Sequence, residues 1–140
     1  MRHHLVLRVI GKLLIAPILL FALYVQFHGD YGPGGGFQAG VIFAAGFFLY
    51  GLINGVAQLQ RVLPARVVRV LVAAGLLLYL GVGFVALPLG GAFLDYNVLA
   101  ATPLSGQHLG IVLVELGIGI TVFGVMTAIF YAFAARWAAD

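Results

Sequence analysis

The stretch LGIVLVELGIGITVFGVMTAIFYAFAA, Leu109–Ala135, decides the class of this protein, because Glu115 is the one charged residue in it. At about 1.5 Å per residue such a run makes a helix longer than the roughly 30 Å hydrocarbon core of a bilayer. Working outward from it, three more apolar runs of spanning length appear: Val9–Phe27, Phe37–Ala57 and Val67–Leu87. Between them lie turn formers: Pro33 with Gly34, Gly35 and Gly36, then Pro64, then Pro88 with Gly90 and Gly91, then Thr102–Pro103. Lipid cannot satisfy bare backbone groups, so these connections belong at the membrane faces or inside protein. The expected fold is all-α and integral to the membrane, with four transmembrane helices at about 9–27, 37–57, 67–87 and 109–135. A single multi-pass domain over 1–140 is expected.

Composition excludes the main alternatives. Of 140 residues, 64% are hydrophobic and only 8% charged, and the mean hydropathy is +1.16. A soluble domain carries about 25% charged residues, so a soluble globular enzyme is excluded. No cysteine is present, which removes disulfides, thiolate metal sites and cysteine nucleophiles. The pI is near 9.6, but seven cations among so many apolar residues make no stripe able to track phosphates, and no nucleic-acid partner is expected.

The charges that remain are sorted by position. Arg2, Arg8 and Lys12 lie at the start of the first run, Arg61, Arg66 and Arg69 flank the second connection, and Arg136 ends the fourth run. The connections His28–Gly36 and Pro88–His108 hold no Lys or Arg and carry Asp30 and Asp95. The positive-inside rule therefore places both termini and the middle connection in the cytoplasm. Trp137 and Tyr131 suit an interfacial anchor at the inner end of the last helix. The N-terminal run reads as an uncleaved helix that also starts insertion, since no small-x-small cleavage site precedes His28.

Glu115 has no topological reason to be where it is. An acid within a span costs about 2.5–3.5 kcal/mol on insertion scales, and such acids face protein or a water-filled cavity. Counting from Leu109 places it about 9 Å below the outer edge, and counting from Arg136 places it about 30 Å from the inner one. Two readings stay open: a cation ligand or proton relay, and an acid hydrogen-bonded near the outer interface. His108, seven residues earlier and two turns up the same face, either extends a polar track outward or is a solvated residue at the helix entrance. Asn54, Gln58, Thr121 and Thr127 read as groups that bond to neighbouring helices or to their own backbone, and Gln26 and Gln38 lie near the outer ends of their helices. Glycines at 36/40, 51/55 and 106/110 have the small-xxx-small spacing that permits close helix approach.

The first outer connection reads His28-Gly29-Asp30-Tyr31-Gly32-Pro33-Gly34-Gly35-Gly36-Phe37. Phe37-Gln38 follows its glycines where a phosphate-binding loop needs Lys-Ser/Thr, so nucleotide binding is not expected. Ser105 is the only serine, and the histidines lack compact ligand spacing, so neither catalytic nor metal-binding nor cofactor-binding residues are expected. A tight re-entrant turn is the plain reading of the loop.

The segment His28–Gly40, with its Pro33-Gly34-Gly35-Gly36-Phe37 core, resembles the signature of the B subunit of Mrp-type (Mnh) multisubunit sodium/proton antiporters. That signature runs His-Gly, a short spacer, Pro-Gly-Gly-Gly-Phe, then small residues opening the second helix. Glu115-Leu116-Gly117-Ile118 is similar to the family's acid followed by aliphatic-Gly-aliphatic. The sequence departs from the pattern at two places: many members carry histidine where Asp30 stands, and aspartate where Glu115 stands.

The resemblance implies a multi-pass subunit of a bacterial cell (inner) membrane, without cofactor, in a secondary transporter exchanging Na+ for H+, and not an enzyme. Its implied partners are the other antiporter subunits, including large ones related to those of respiratory complex I, and membrane lipid. This chain lacks their lysine- and glutamate-rich membrane axis, so it is not expected to exchange ions alone. On this reading Glu115 and His108 are the ion-path candidates, and His28, Asp30, Pro33, Gly34, Gly35, Gly36 and Phe37 form the outer-loop motif. The alternative is a purely structural scaffold subunit of a related ion-translocating complex, such as a membrane-bound hydrogenase.

Overall fold

The computed structural model describes residues 5–29 and 31–137; Arg2, Asp30 and Asp140, and the side chains of Arg136 and Trp137, lie outside the described residues. The described residues form helices and no strand. In chain order these are α1 (Leu5–His28), α2 (Gly36–Asn54), α3 (Val56–Val62), α4 (Ala65–Ala86), a 3-10 turn at Tyr96–Val98, and α5 (Pro103–Trp137). All except α3 and the 3-10 turn are long and apolar enough to cross a membrane, so the four expected spans are present.

Three helix ends differ from the sequence reading by three residues or more: α1 is helical from Leu5 instead of Val9, and the other two shifts have local reasons. α2 stops at Asn54 because Gly55 takes φ +97, a left-handed conformation that L side chains rarely adopt. The Gly55 N–H still closes on the Gly51 carbonyl at 2.8 Å, and the chain then turns into α3. α5 starts at Pro103 rather than Leu109. Proline has no N–H to lose at a first helical position, and the Thr102 hydroxyl accepts from the Ser105 N–H at 3.3 Å.

The long helices pack as a row in the order α1, α2, α5, α4, with α1 barely touching α5. Accordingly α2 and α5 bury the most of their spans, α1 and α4 the least. Large apolar side chains such as Leu13, Leu20, Leu77 and Phe84 point outward, as a lipid-facing surface requires.

Small residues let the inner pair approach. A Cβ on Gly36 would fall on the Glu115 backbone carbonyl, and one on Gly40 would stand 2.6 Å from the Gly119 carbonyl. Gly36 and Gly40 thus form a true packing seam between α2 and α5. At the opposite end of the bundle Ala44, Leu59, Leu63, Val68, Phe123 and Tyr131 form a buried cluster. There the Tyr131 hydroxyl donates to the Leu63 carbonyl at 2.7 Å, tying α5 to the turn between α3 and α4.

Helix lengths set the level of the site. α2 has 19 residues, about 28 Å at the standard rise. α5 has 35 residues, about 52 Å on the same rise. Because α2 begins beside Glu115, the segment 103–114 of α5 rises beyond the C-terminal end of α1 and the N-terminal end of α2.

Candidate functional site

The outer loop folds back on the helix that precedes it. Tyr31 and Gly32 donate backbone N–H groups to the His28 carbonyl at 2.9 and 3.1 Å, and Gly35 donates to the Val25 carbonyl at 3.1 Å. These bonds satisfy carbonyls that the end of α1 leaves without helical partners. Gly35, at φ +108, then caps α2, and its carbonyl accepts from Ala39 at 3.0 Å. Only glycine occupies that backbone region without strain.

Beneath this loop lies the carboxylate of Glu115. A Cβ on Gly29 would stand 2.5 Å from Glu115 Oε2 and 2.6 Å from Oε1, and one on Gly35 would stand 2.8 Å from Oε1. The missing side chains of Gly29 and Gly35 therefore form the space the acid occupies. The same position brings the carboxylate to the first turn of α2, whose free N–H groups and aligned dipoles carry partial positive charge.

The other expected site residues divide into those near this acid and those turned away. Gly34 and Gly36 belong to its surroundings: Gly34 packs on the Val25 carbonyl and Gly36 on the α5 backbone. His28 stacks on Tyr24, with ring centroids 5.2 Å apart, and lies under Gly32. His108 meets the Tyr31 ring edge-on at 6.4 Å, on the rising segment of α5. A groove along that segment is lined by Tyr31, Leu104, Ser105, His108 and Val112. Pro33 and Phe37 are exposed, Phe37 at 61%, so the motif's aromatic faces outward from the bundle. Asp30 is the motif residue outside the described set.

One residue of this region carries no role in the sequence reading. Gln26 of α1 is 8% exposed, and its Oε1 stands 2.6 Å from the point where a Cβ on Gly119 would lie. Gly119 is one turn below Glu115 on the same face of α5. The signal was an amide inside an otherwise apolar run, two residues before His28. Gln26 also lines a cleft of about 160 Å³ with Ala22, Phe43, Leu116, Ile120 and Phe123.

At the same end of the bundle, the connection between α4 and α5 is held by its own polar contacts. Asp95 accepts from the Asn97 backbone and amide at 3.1 and 2.9 Å, and Gln107 donates to Asn97 at 3.0 Å. Burial, and secondarily Tyr79, push the Tyr96 hydroxyl above its ordinary range. No group of three or more His, Cys, Asp or Glu side chains gathers among the described residues.

A row of four membrane-length helices with one acid under a glycine loop defines a small multi-pass membrane protein. Residues 6–128 match the family described as a domain related to the MnhB subunit of Na+/H+ antiporters, and the chain belongs to that family. Curated relatives in Staphylococcus aureus strains Newman, JH1 and COL carry the name "Putative antiporter subunit mnhB2". Each is 36% identical over 127 residues, covering 89% of this chain and 89% of the relative.

Proposed function

We propose that the chain is a small subunit of a multisubunit Na+/H+ antiporter in a bacterial inner membrane, with Glu115 on the ion path. It forms a single domain with both termini in the cytoplasm, and its partners are the other antiporter subunits, including large complex-I-like ones. The observation that carries the reading is the packing of the Glu115 carboxylate under Gly29 and Gly35. An intramembrane acid costs free energy, and a loop of bare backbone built around it is what a site for a passing cation or proton requires. His108, on the rising segment of α5, and Tyr31, in the glycine loop, mark the outer approach.

Glu115→Gln keeps the shape and removes the charge. In the assembled complex it is expected to abolish sodium/proton exchange, measured as sodium-driven proton movement in inverted membrane vesicles. Full exchange by an assembled variant overturns the role of Glu115.

A second reading has its own support. The carboxylate also meets the first turn of α2, where a negative group stabilises a helix end, so Glu115 would hold the outer loop to α5 in a scaffold subunit. Under that reading Glu115→Gln lowers complex assembly and leaves the exchange per assembled complex unchanged.

A further inference from the structure

In the cleft where α5 meets α1 and α2, polar groups continue below Glu115 for one helical turn, to the level of Gly119. The Gln26 Oε1 and the Gly36 carbonyl oxygen stand 2.6 and 3.2 Å from one shared point, the absent Cβ of Gly119. Both oxygens thus border one niche where α1, α2 and α5 meet, directly under the acid. Below it the cleft is walled by Leu23, Phe43, Ile120 and Phe123. Phe43, Phe47 and Phe123 close against one another there, with ring centroids 5.1 to 5.7 Å apart. The next buried hydroxyl, that of Thr127, is already donated to the Phe123 carbonyl at 2.8 Å. Gln26 therefore supplies the side-chain oxygen of this cleft, on the near side of an aromatic seal.

A buried amide among apolar residues is costly and calls for a reason. Here its surroundings supply one. A proton is held by a single carboxylate oxygen, whereas a hard cation that sheds its water needs several oxygens around it. Glu115 alone would hold either ion, while a carboxylate with an amide oxygen and a backbone carbonyl one turn below favours the cation. We infer that Gln26 is a specificity-determining residue: its amide oxygen, beside the Gly36 carbonyl, contributes to coordinating the sodium ion received at Glu115. This rests on the proposed ion-path role of Glu115 and adds the discrimination between the two ions. Removing the amide oxygen weakens sodium binding and leaves proton binding at the carboxylate in place.

The test uses the whole antiporter complex in inverted vesicles, with sodium ions as the probe and a pH-sensitive dye as the readout. Gln26→Leu is expected to raise the sodium concentration for half-maximal exchange about tenfold, the scale of one lost contact to a charged group. The maximal rate at saturating sodium is expected to stay within about twofold, as for loss of uniform binding. A packing role alone would lower assembly and leave the sodium dependence of the assembled fraction unchanged. Gln26→Met, with a flexible side chain that adapts to irregular gaps, is measured alongside in case Leu disturbs the cleft. An assembled Gln26→Leu or Gln26→Met complex with unchanged sodium dependence overturns the inference. If that occurs while Glu115→Gln abolishes exchange, only the selectivity role falls. If Glu115→Gln retains full exchange, the ion-path reading falls and this inference with it.

Discussion

Gly29 and Glu115, 86 positions apart in the chain, share one volume: the carboxylate of the acid occupies the space a side chain on Gly29 would need. The glycine loop and the fourth span are therefore parts of one structure. Glu115 is level with the start of α2, so the depth that counting from either end of its helix left open is set by its neighbours. It lies at the C-terminal end of α1 and the N-terminal end of α2, with a further stretch of α5 rising beyond it.

Gly29→Ala is the direct probe of that relationship. The added methyl meets both carboxylate oxygens and the Gly35 Cα, the last at 2.6 Å. The carboxylate can swing aside, whereas the Gly35 backbone resists. The variant is expected to assemble with Glu115 displaced, and to exchange ions at least about tenfold more slowly, since misplacing a functional group by about 1 Å is costly. Exchange at the parental rate would show that the acid's position is immaterial to transport.

Gly35→Ala and Gly55→Ala separate backbone strain from crowding. Both positions have φ near +100, at +108 and +97, but a Cβ on Gly35 meets Glu115 whereas one on Gly55 meets nothing within 4 Å. Each variant carries strain of about 1–3 kcal/mol. Gly55→Ala is expected to lower the thermal stability of the complex and leave exchange unchanged. Gly35→Ala is expected to lower both. Purified complexes compared by thermal unfolding and by exchange in proteoliposomes check the pair, and equal loss of exchange in both variants would contradict it.

How much of this was legible in the sequence follows from where each feature is encoded. A membrane span is written locally, in about 20 apolar residues, so four spans could be read from four runs. The break at Gly55 was not legible, because Asn54-Gly55-Val56 interrupts neither the apolar run nor the helix pattern strongly enough. The early start of α5 was written in Thr102–Pro103, which was read as loop punctuation although it is also a helix-start pair. The site was legible by type and not by assembly. Glu115 stood out by its charge and the glycines by their number, but their contact joins residues far apart in sequence. Gln26 was passed over because an amide near a helix end looks solvated until α5 is placed against it.

Tyr131→Phe tests the inner anchor separately from the site. The Tyr131 hydroxyl is buried and donates to the Leu63 carbonyl at 2.7 Å. Its loss removes a bond worth about 0.5–1.5 kcal/mol and leaves that carbonyl without this donor. Thermal stability is expected to fall by that order while the sodium dependence of exchange stays as in the parent. A changed sodium dependence would mean that the inner cluster communicates with Glu115.

The distribution of charge leads to a final prediction, on sidedness. The described cations Arg8, Lys12, Arg61, Arg66 and Arg69 sit at the start of α1, in α3 and at the start of α4. Antiparallel packing of α1 with α2 and the short α2–α3–α4 turns bring those segments to one end of the bundle, opposite Asp95 and Glu115. By the positive-inside rule that end is expected to face the cytoplasm. The natural sequence has no cysteine, so single cysteines report without background. Arg61→Cys is expected to react with a membrane-impermeant thiol reagent only in inverted vesicles, and Asn97→Cys only in intact spheroplasts. Both side chains are exposed, so failure to label is not expected from burial within this chain. The opposite pattern would invert the whole molecule and put Glu115 near the cytoplasmic face.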